Sequence, residues 1–396
     1  MRILFLTFYY PPDLCAGSFR AHSLVEELKK IMDPGDRIDV ITTLPNRYST
    51  YSVDTSRLQV DDMVRIKRVP VVSHKSRMVD QSVAFFQFFL KAISEARKNR
   101  YDLIFATSSR LMTGFLGAVL SKSKSTPLCL DVRDIFTDTL QDVLPVWLRL
   151  TALPVFRVIE KFTFRAANRI NLVSDGFEPY FRKMLGDREF LHFTNGVDDE
   201  FLQADFFKKD RGSTPLILYA GNIGEGQGLH RVIPKAASVL KNEYRFVVIG
   251  DGGMRGALRE ELCRLGVDNV ELIDPVPRAR LMRYYAEADY LFLHLNDYDA
   301  FRKVLPSKIF EYAATGKPIV AGVSGYAAEF IRTNIEGACV FEPCDVEGFC
   351  QALKNLPGRV FGRDDFVEKY RRTSIMKAFA AEICLAGKDG GRTGAR

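Results

Sequence analysis

Between Phe301 and Ala321 the chain reads FRKVLPSKIFEYAATGKPIVA: a loop with Lys303, Pro306, Ser307 and Lys308, an amphipathic helix with Glu311, a Gly316–Pro318 break and an apolar strand. A helix start presents N–H groups without intrahelical partners at the positive end of the macrodipole, so a phosphate is favoured there before any side chain contributes. Pro306 suits that start, Ser307 can cap it or donate to an oxyanion, and Lys308 adds a point charge. Glu311, one turn on, has the reach to accept hydrogen bonds from ribose hydroxyls. Anion and sugar could both be held within one turn, which is the chemistry of a nucleotide site. An ordinary helix with a solvated glutamate reads the same way, so the rest of the chain has to decide.

Three glycine-containing turns follow apolar runs. FLTFYYPPDLCAGSFR contains Gly17 and Ser18; LILYAGNIGEGQGL contains Gly221, Asn222, Gly224 and Gln227; VVIGDGGMRGAL contains Gly250, Asp251 and Gly252. Glycine at a strand end lets backbone N–H groups approach a ligand closely, although a tight turn uses it for geometry alone. None of the turns has the dinucleotide spacing Gly-x-Gly-x-x-Gly, and no Walker lysine is present, which argues against a dehydrogenase and against an ATPase. The histidines, His22, His74, His192, His230 and His294, have no partners at metal-ligand spacing, so no metal is expected.

Positioning such turns requires strands alternating with helices. The 396 residues exceed what one core usually supports, so two domains are expected. Apolar runs at 3–8, 38–42, 64–69, 103–107, 128–132 and 170–173 alternate with helical patterns near 19–31, 82–98, 109–121 and 146–167. This is the pattern of a parallel, doubly wound sheet. A polar stretch over 198–215 interrupts it, and strands resume at 216–220, 245–249, 270–272, 290–293, 318–321 and 338–341. The expected organisation is two Rossmann-like domains, 1–200 and 201–372, with a helix at about 373–386 able to pack back on the first and a disordered tail over 387–396.

Formal charge is +7, and its distribution matters more than its size: residues 51–100 hold ten Lys or Arg against five acids, and the last 46 residues repeat that excess. Segment 82–98, SVAFFQFFLKAISEARK, joins Phe85, Phe86, Phe88 and Phe89 to a basic end, and segment 145–165, PVWLRLTALPVFRVIEKFTFR, interleaves Trp147 with phenylalanines and cations. Basic plus aromatic points to an anionic membrane surface; core helices with snorkelling Lys and Arg are the plainer alternative. The cations are scattered rather than set on a binding module, which argues against nucleic acid. Seven cysteines without a Cys-x-x-Cys pair point to a reducing, cytoplasmic compartment. MRILFLTFYYPP is too short an apolar run for a signal peptide, and no run is long enough to span a bilayer.

Pro11-Pro12 with Ala16-Gly17-Ser18, Asn195-Gly196-Val197-Asp198, Gly221-Asn222-Ile223-Gly224, Gly250-Asp251-Gly252, Ala288-Asp289, Pro306-Ser307-Lys308 with Glu311, and Gly316-Lys317-Pro318 are weak signals singly. In order and spacing they resemble the family-4 retaining glycosyltransferases of GT-B fold, over nearly the whole chain. The branch it looks most like is the bacterial surface-polysaccharide transferases that resemble N-acetylfucosaminyl transferases. The resemblance implies an α/β chain of two tandem Rossmann-like doubly wound domains facing a central cleft, the C-terminal one holding a nucleotide-diphosphate sugar and the N-terminal one the acceptor. It implies transfer of a HexNAc or deoxy-HexNAc sugar, UDP-linked, to a lipid-linked or growing glycan of an O-antigen, capsule or exopolysaccharide. The work would be done at the inner face of the cell membrane, with no cofactor and no metal.

By the same resemblance Lys308 would neutralise the departing diphosphate, and Gly17 and Ser18 would add backbone amides to it. Asp134, in LDVRDIF just past the run 128–132, would be the acceptor base, Arg133 would bind an acceptor phosphate, and His22 would stand on the acceptor side. Asp134 could equally cap the following turn, and His22 could simply pack. The chain also departs from the family. Lys303 stands where the first of two paired glutamates is usual, and Asn222 and Gln227 stand where an Arg and a Lys usually face the diphosphate, leaving Lys308, with Lys303 or Arg302, to carry that charge. A nucleotide-sugar epimerase of the same architecture, or a sugar-nucleotide-binding partner without chemistry, are the alternatives. The first would need an acid–base set, and the second draws on the missing glutamate.

Overall fold

The computed structural model describes residues 1–45, 55–71, 78–108, 111–206 and 214–393; His74 lies outside them. The chain divides into two units, Met1–Asn195 with Arg372–Arg396, and Gly196–Arg371.

The first unit is built on β1 (Arg2–Leu6), β2 (Arg37–Thr43), β3 (Leu58–Val60), β4 (Val64–Val69), β5 (Leu103–Thr107), β6 (Leu128–Val132) and β7 (Arg169–Leu172). They lie in the order β3-β4-β2-β1-β5-β6-β7. Helices α1 (Ala16–Ile31), α2 (Met78–Ala96), α3 (Leu111–Lys124), α4 (Phe136–Val143), α5 (Val146–Ala166) and α6 (Glu178–Leu185) connect them. Strands β5 and β6 are buried at every position, because a parallel sheet is covered on both faces, and this is why they read as nearly continuous apolar runs. The departure from the expected parallel sheet is β3, which pairs antiparallel with β4 at the edge. Its three residues are all exposed, so it leaves no apolar signal.

The second unit contains α7 (Asp199–Gln203), β8 (Leu216–Ala220), α8 (Leu229–Val239), β9 (Arg245–Ile249), α9 (Arg255–Arg264), β10 (Val270–Ile273), α10 (Arg278–Glu287) and β11 (Tyr290–His294). It continues with α11 (Lys308–Ala314), β12 (Ile319–Gly322), α12 (Gly325–Asn334), β13 (Ala338–Phe341), α13 (Val346–Asn355) and α14 (Asp364–Lys369). Its sheet, β10-β9-β8-β11-β12-β13, is parallel throughout.

The last helix, α15 (Arg372–Thr393), returns to the first unit, where Met376, Phe379, Ala380 and Ile383 share a core with Ile3, Phe5, Leu24, Val25 and Leu28. It runs past the expected end near 386. Gly387, read in the sequence as the start of a loose tail, is a close-packing position: a Cβ there would stand 2.6 Å from Met1 Sδ. The junction between the units also falls earlier than residue 200. Val197 N–H donates to Tyr370 O at 2.8 Å and Arg371 pairs with Asp199 at 2.8 Å, so 196–200 is tied into the second unit.

Candidate functional site

Two strand-to-helix turns meet at the C-terminal edge of the second sheet. Ile223 N–H, after β8, donates to Asp251 O at 2.9 Å, and Met254 N–H, after β9, donates back to Ile223 O at 2.9 Å. Asp251 Oδ1 takes the Gly252 N–H at 2.8 Å. A Cβ on Gly250 would stand 1.8 Å from Gly221 O, and one on Gly252 would stand 2.5 Å from Ile223 O. These two glycines let one turn lie on the other, rather than opening backbone to a ligand as their positions suggest. Gly221 serves a different purpose. Its φ of +149° already favours glycine, and a Cβ there would stand 1.9 Å from Lys308 Nζ. The lysine side chain is folded onto the turn, its ammonium 5.3 Å from the Tyr219 ring centroid.

Asn222 and Gln227 bond to each other, Nδ2 to Oε1 at 2.7 Å, and Gly224 N–H donates to the same Gln227 oxygen at 3.3 Å. An amide pair therefore shapes the turn, and Lys308 is the cation that reaches it. Lys303 ends the short helical turn Asp299–Lys303. Ser307 has helical φ and ψ, and its side chain makes no capping bond, so of the two roles open to it the cap is not used. Pro306 O accepts from Ile309 N–H at 3.1 Å as the helix begins. Because α11 spans only seven residues, the ammonium outweighs the helix dipole as the source of positive charge.

Glu311 is held on both oxygens, by Arg278 at 3.2 Å and by the Tyr285 hydroxyl at 3.2 Å. Arg278 also binds Asp198 at 2.5 Å and Glu200 at 2.8 Å. Burial opposes its charge, but Glu311, Asp198 and Glu200 outweigh that and keep the guanidinium protonated above its ordinary range. Burial and Glu311 likewise push the Tyr285 hydroxyl far up. Neither residue carries a periodic or motif signal, so the clamp on Glu311, expected from the sequence as a ribose-binding residue, is a finding of the structure.

His294, at the end of β11, fixes the same turn from below. Its Nδ1 lies 2.6 Å from Gln227 O and its Nε2 accepts from Cys344 N–H at 2.9 Å. One nitrogen must donate and the other accept, so the ring is neutral, and burial pushes its pKa down to about 4.

In the first unit the loop after β6 meets the start of α1. The Arg133 guanidinium lies under Gly17, 3.2 Å from where its Cβ would be, and burial pushes it down to about 10. Asp134, partly buried beside it, is pushed up to about 6, first by burial and then by the charge of Asp138. Gly17 lies in the first turn of α1, where no intrahelical carbonyl can reach its amide. Ser18 does not fit the expected role: its N–H donates to Cys15 O at 3.0 Å, and its hydroxyl is buried without a partner among the described residues. His22 is exposed, its Nδ1 3.4 Å from the Tyr10 hydroxyl, at a cavity of about 130 Å³ with Pro11, Glu26 and Arg68. Beneath lies a network that the sequence did not reveal. Arg20 binds both oxygens of Asp131 at 2.9 Å and the carbonyls of Phe193 and Thr194, and Asn171 donates to Asp131 at 2.7 Å.

Two Rossmann-like units in tandem, the second with a lysine folded onto its opening glycine turn, define a two-domain glycosyltransferase architecture. Two family models match in that order, a glycosyl transferase 4-like domain over residues 17–194 and glycosyl transferases group 1 over residues 214–357. The chain belongs to the family-4 glycosyltransferases of GT-B fold. It is 23% identical to a 2-deoxystreptamine N-acetyl-D-glucosaminyltransferase of Niallia circulans, over 86% of this chain and 90% of that protein. It is 27% identical to the amylovoran biosynthesis glycosyltransferase AmsK of Erwinia amylovora over 33% of each. Among solved structures, HepE of Anabaena in complex with UDP superposes with a TM-score of 0.59 over 99% of both chains, at 17% identity.

Proposed function

We propose that this glycosyltransferase moves a HexNAc or deoxy-HexNAc sugar from a UDP-linked donor, with retention, to a lipid-linked or growing glycan of a bacterial surface polysaccharide, at the cytoplasmic face of a membrane. The observation that carries the reading is the Lys308 ammonium folded onto Gly221, one helical turn before Glu311. Transfer passes through an oxocarbenium-like state while negative charge grows on the departing diphosphate. A cation already seated at the turn stabilises that charge without reorganising, and no metal is then required. Ribose hydroxyls donate to Glu311, whose oxygens keep a second lone pair after bonding Arg278 and Tyr285.

On the acceptor side, a carboxyl near pKa 6 suits Asp134 to take a hydroxyl proton at neutral pH, and Arg133 beside it would hold an acceptor phosphate. The cavity at His22 offers room for part of the acceptor. The N-acetylglucosaminyl transfer in one relative's name, the polysaccharide in another's and the UDP in the neighbouring structure favour this donor and product. Nothing favours the epimerase, and a partner without chemistry would bind the donor at the same turn but transfer no sugar, so an assay of sugar transfer separates the two.

Calorimetric titration of nucleoside diphosphates into the wild type, Lys308→Ala and Glu311→Ala tests the reading. UDP should bind, and each substitution should weaken it about tenfold or more, the loss of a charge-assisted contact. Binding of no nucleotide, or binding that ignores both substitutions, would remove the donor site from this turn.

A further inference from the structure

We infer that α2, α3 and α5 together form one face of the first unit that docks on an anionic lipid bilayer, with the outer row of α5 lying in the headgroup region. This deepens the membrane setting proposed above and rests on it. On α5 the side chains of Val146, Trp147, Leu150, Val155, Val158 and Phe162 recur at helical spacing and stand outside, Trp147 at 68%, Leu150 at 73% and Val158 at 70% exposure. The opposite side of the same helix, with Leu153, Thr163 and Phe164, is buried. The helix already has its core contact, so a second, contiguous apolar row marks an interaction surface.

The row does not end with α5. Phe162 packs against Phe115 of α3 with ring centroids 5.8 Å apart, and Phe115 stacks on Phe89 of α2 at 6.0 Å. Beyond that seam α2 exposes Val83, Phe86 and Leu90. Two segments that are far apart in the sequence thus present one surface.

Charge selects what covers it. Arg157, Lys161 and Arg165 are exposed along α5, whose one acid, Glu160, is buried and accepts from Thr137 and Tyr180. α3 contains no acid, and Lys91 and Arg97 stand exposed along α2 and just past its end, while α2's Glu95 is already neutralised by Lys98 at 2.9 Å and Lys67 at 3.6 Å. A second copy of the chain would set these cations against each other. Anionic headgroups meet them, while the interfacial region takes the aromatic and aliphatic row. Among the described residues no helix is long and apolar enough to cross a membrane, so the contact is with the surface.

Trp147 is the only tryptophan in the chain and reports on this face directly. The full-length protein is mixed at low salt with vesicles of phosphatidylcholine, with or without phosphatidylglycerol, and scored by flotation and by Trp147 emission. The expected result is flotation with the anionic vesicles, a blue shift, and quenching by brominated acyl chains. Leu150→Ser with Val158→Ser, and separately Arg157→Glu with Lys161→Glu, should each raise the lipid needed for half-binding about tenfold or more. An unchanged thermal midpoint shows that a variant is folded, and the charge reversals lie at exposed sites should the apolar pair fail to fold. Wild type and variants floating alike would overturn this face while leaving the membrane setting. No flotation of the wild type would overturn both. A blue shift that grows with protein concentration in the absence of lipid would assign the face to a second copy. UDP binding, measured alongside, reports on the donor site independently of all three.

Discussion

Asp134 has two roles open to it, acid–base chemistry or capping, and pH separates them. With its carboxyl pushed up to about 6, the fold binds this proton more tightly than the unfolded chain, whose aspartate titrates near 4. The stability so gained is full below the unfolded value and is lost as pH rises through about 6. Asp134→Asn should therefore melt above the wild type at pH 7.5, with the gap closing between pH 6 and 4, whereas loss of a cap would lower the melting point throughout. If Asp134 is the base, kcat/KM of the wild type falls tenfold per unit below pH 6, and the substitution costs about a hundredfold or more in transfer. Gly221 makes the complementary test on the donor side. Gly221→Ala puts a methyl 1.9 Å from Lys308 Nζ and so must evict the ammonium. UDP affinity measured by calorimetry should drop at least as far as in Lys308→Ala; an unchanged affinity would mean that the seat of that ammonium is irrelevant to the donor.

Strands such as β5, β6, β8 and β9 were legible in the sequence because burial on both faces leaves nearly continuous apolar runs. β3 was not, being short and exposed, and neither was the Arg20–Asp131 pair, whose members lie 111 residues apart on α1 and β6. One signal was available: an aspartate inside the run LCLDV cannot be buried unpaired, so a distant cation was required. At the proposed donor site the motif residues Gly221, Lys308 and Glu311 could be picked out from the sequence, while Arg278, Tyr285 and His294 act through contacts that no local pattern encodes. Arg20 joins α1 to β6 and to the 193–194 carbonyls, so Arg20→Met should destabilise the first unit by about 3–5 kcal/mol, the cost of leaving a buried carboxylate unpaired. Adding Asp131→Leu should recover much of that loss in the urea midpoint; a double variant worse than the single would show that the pair contributes through its geometry rather than its charge balance.

The two units differ in how the chain builds them. The second is one continuous stretch, Gly196–Arg371, with its own cores on both sides of the sheet, whereas the first is closed only when the chain returns as α15. Met376, Phe379 and Ile383 are fully buried there, each contributing about 1.5–3 kcal/mol, so together they approach the whole stability of a typical domain. Phe379 also stacks on Phe193 at 4.9 Å and lies 5.6 Å from the Arg20 guanidinium, so the helix lids the buried ion pair as well. A chain ending at Arg371 should therefore lose the first unit and keep the second. In hydrogen exchange, the amides of Arg2–Leu6 and Leu103–Thr107 would exchange within the dead time while those of Leu216–Ala220 stay protected. UDP would still bind, because Gly221, Lys308, Arg278 and Glu311 all belong to the stretch that folds without help. Retained protection in β1 and β5 would show instead that α15 rests on a core already complete, and the closure of the first unit would have to come from its N-terminal segment alone.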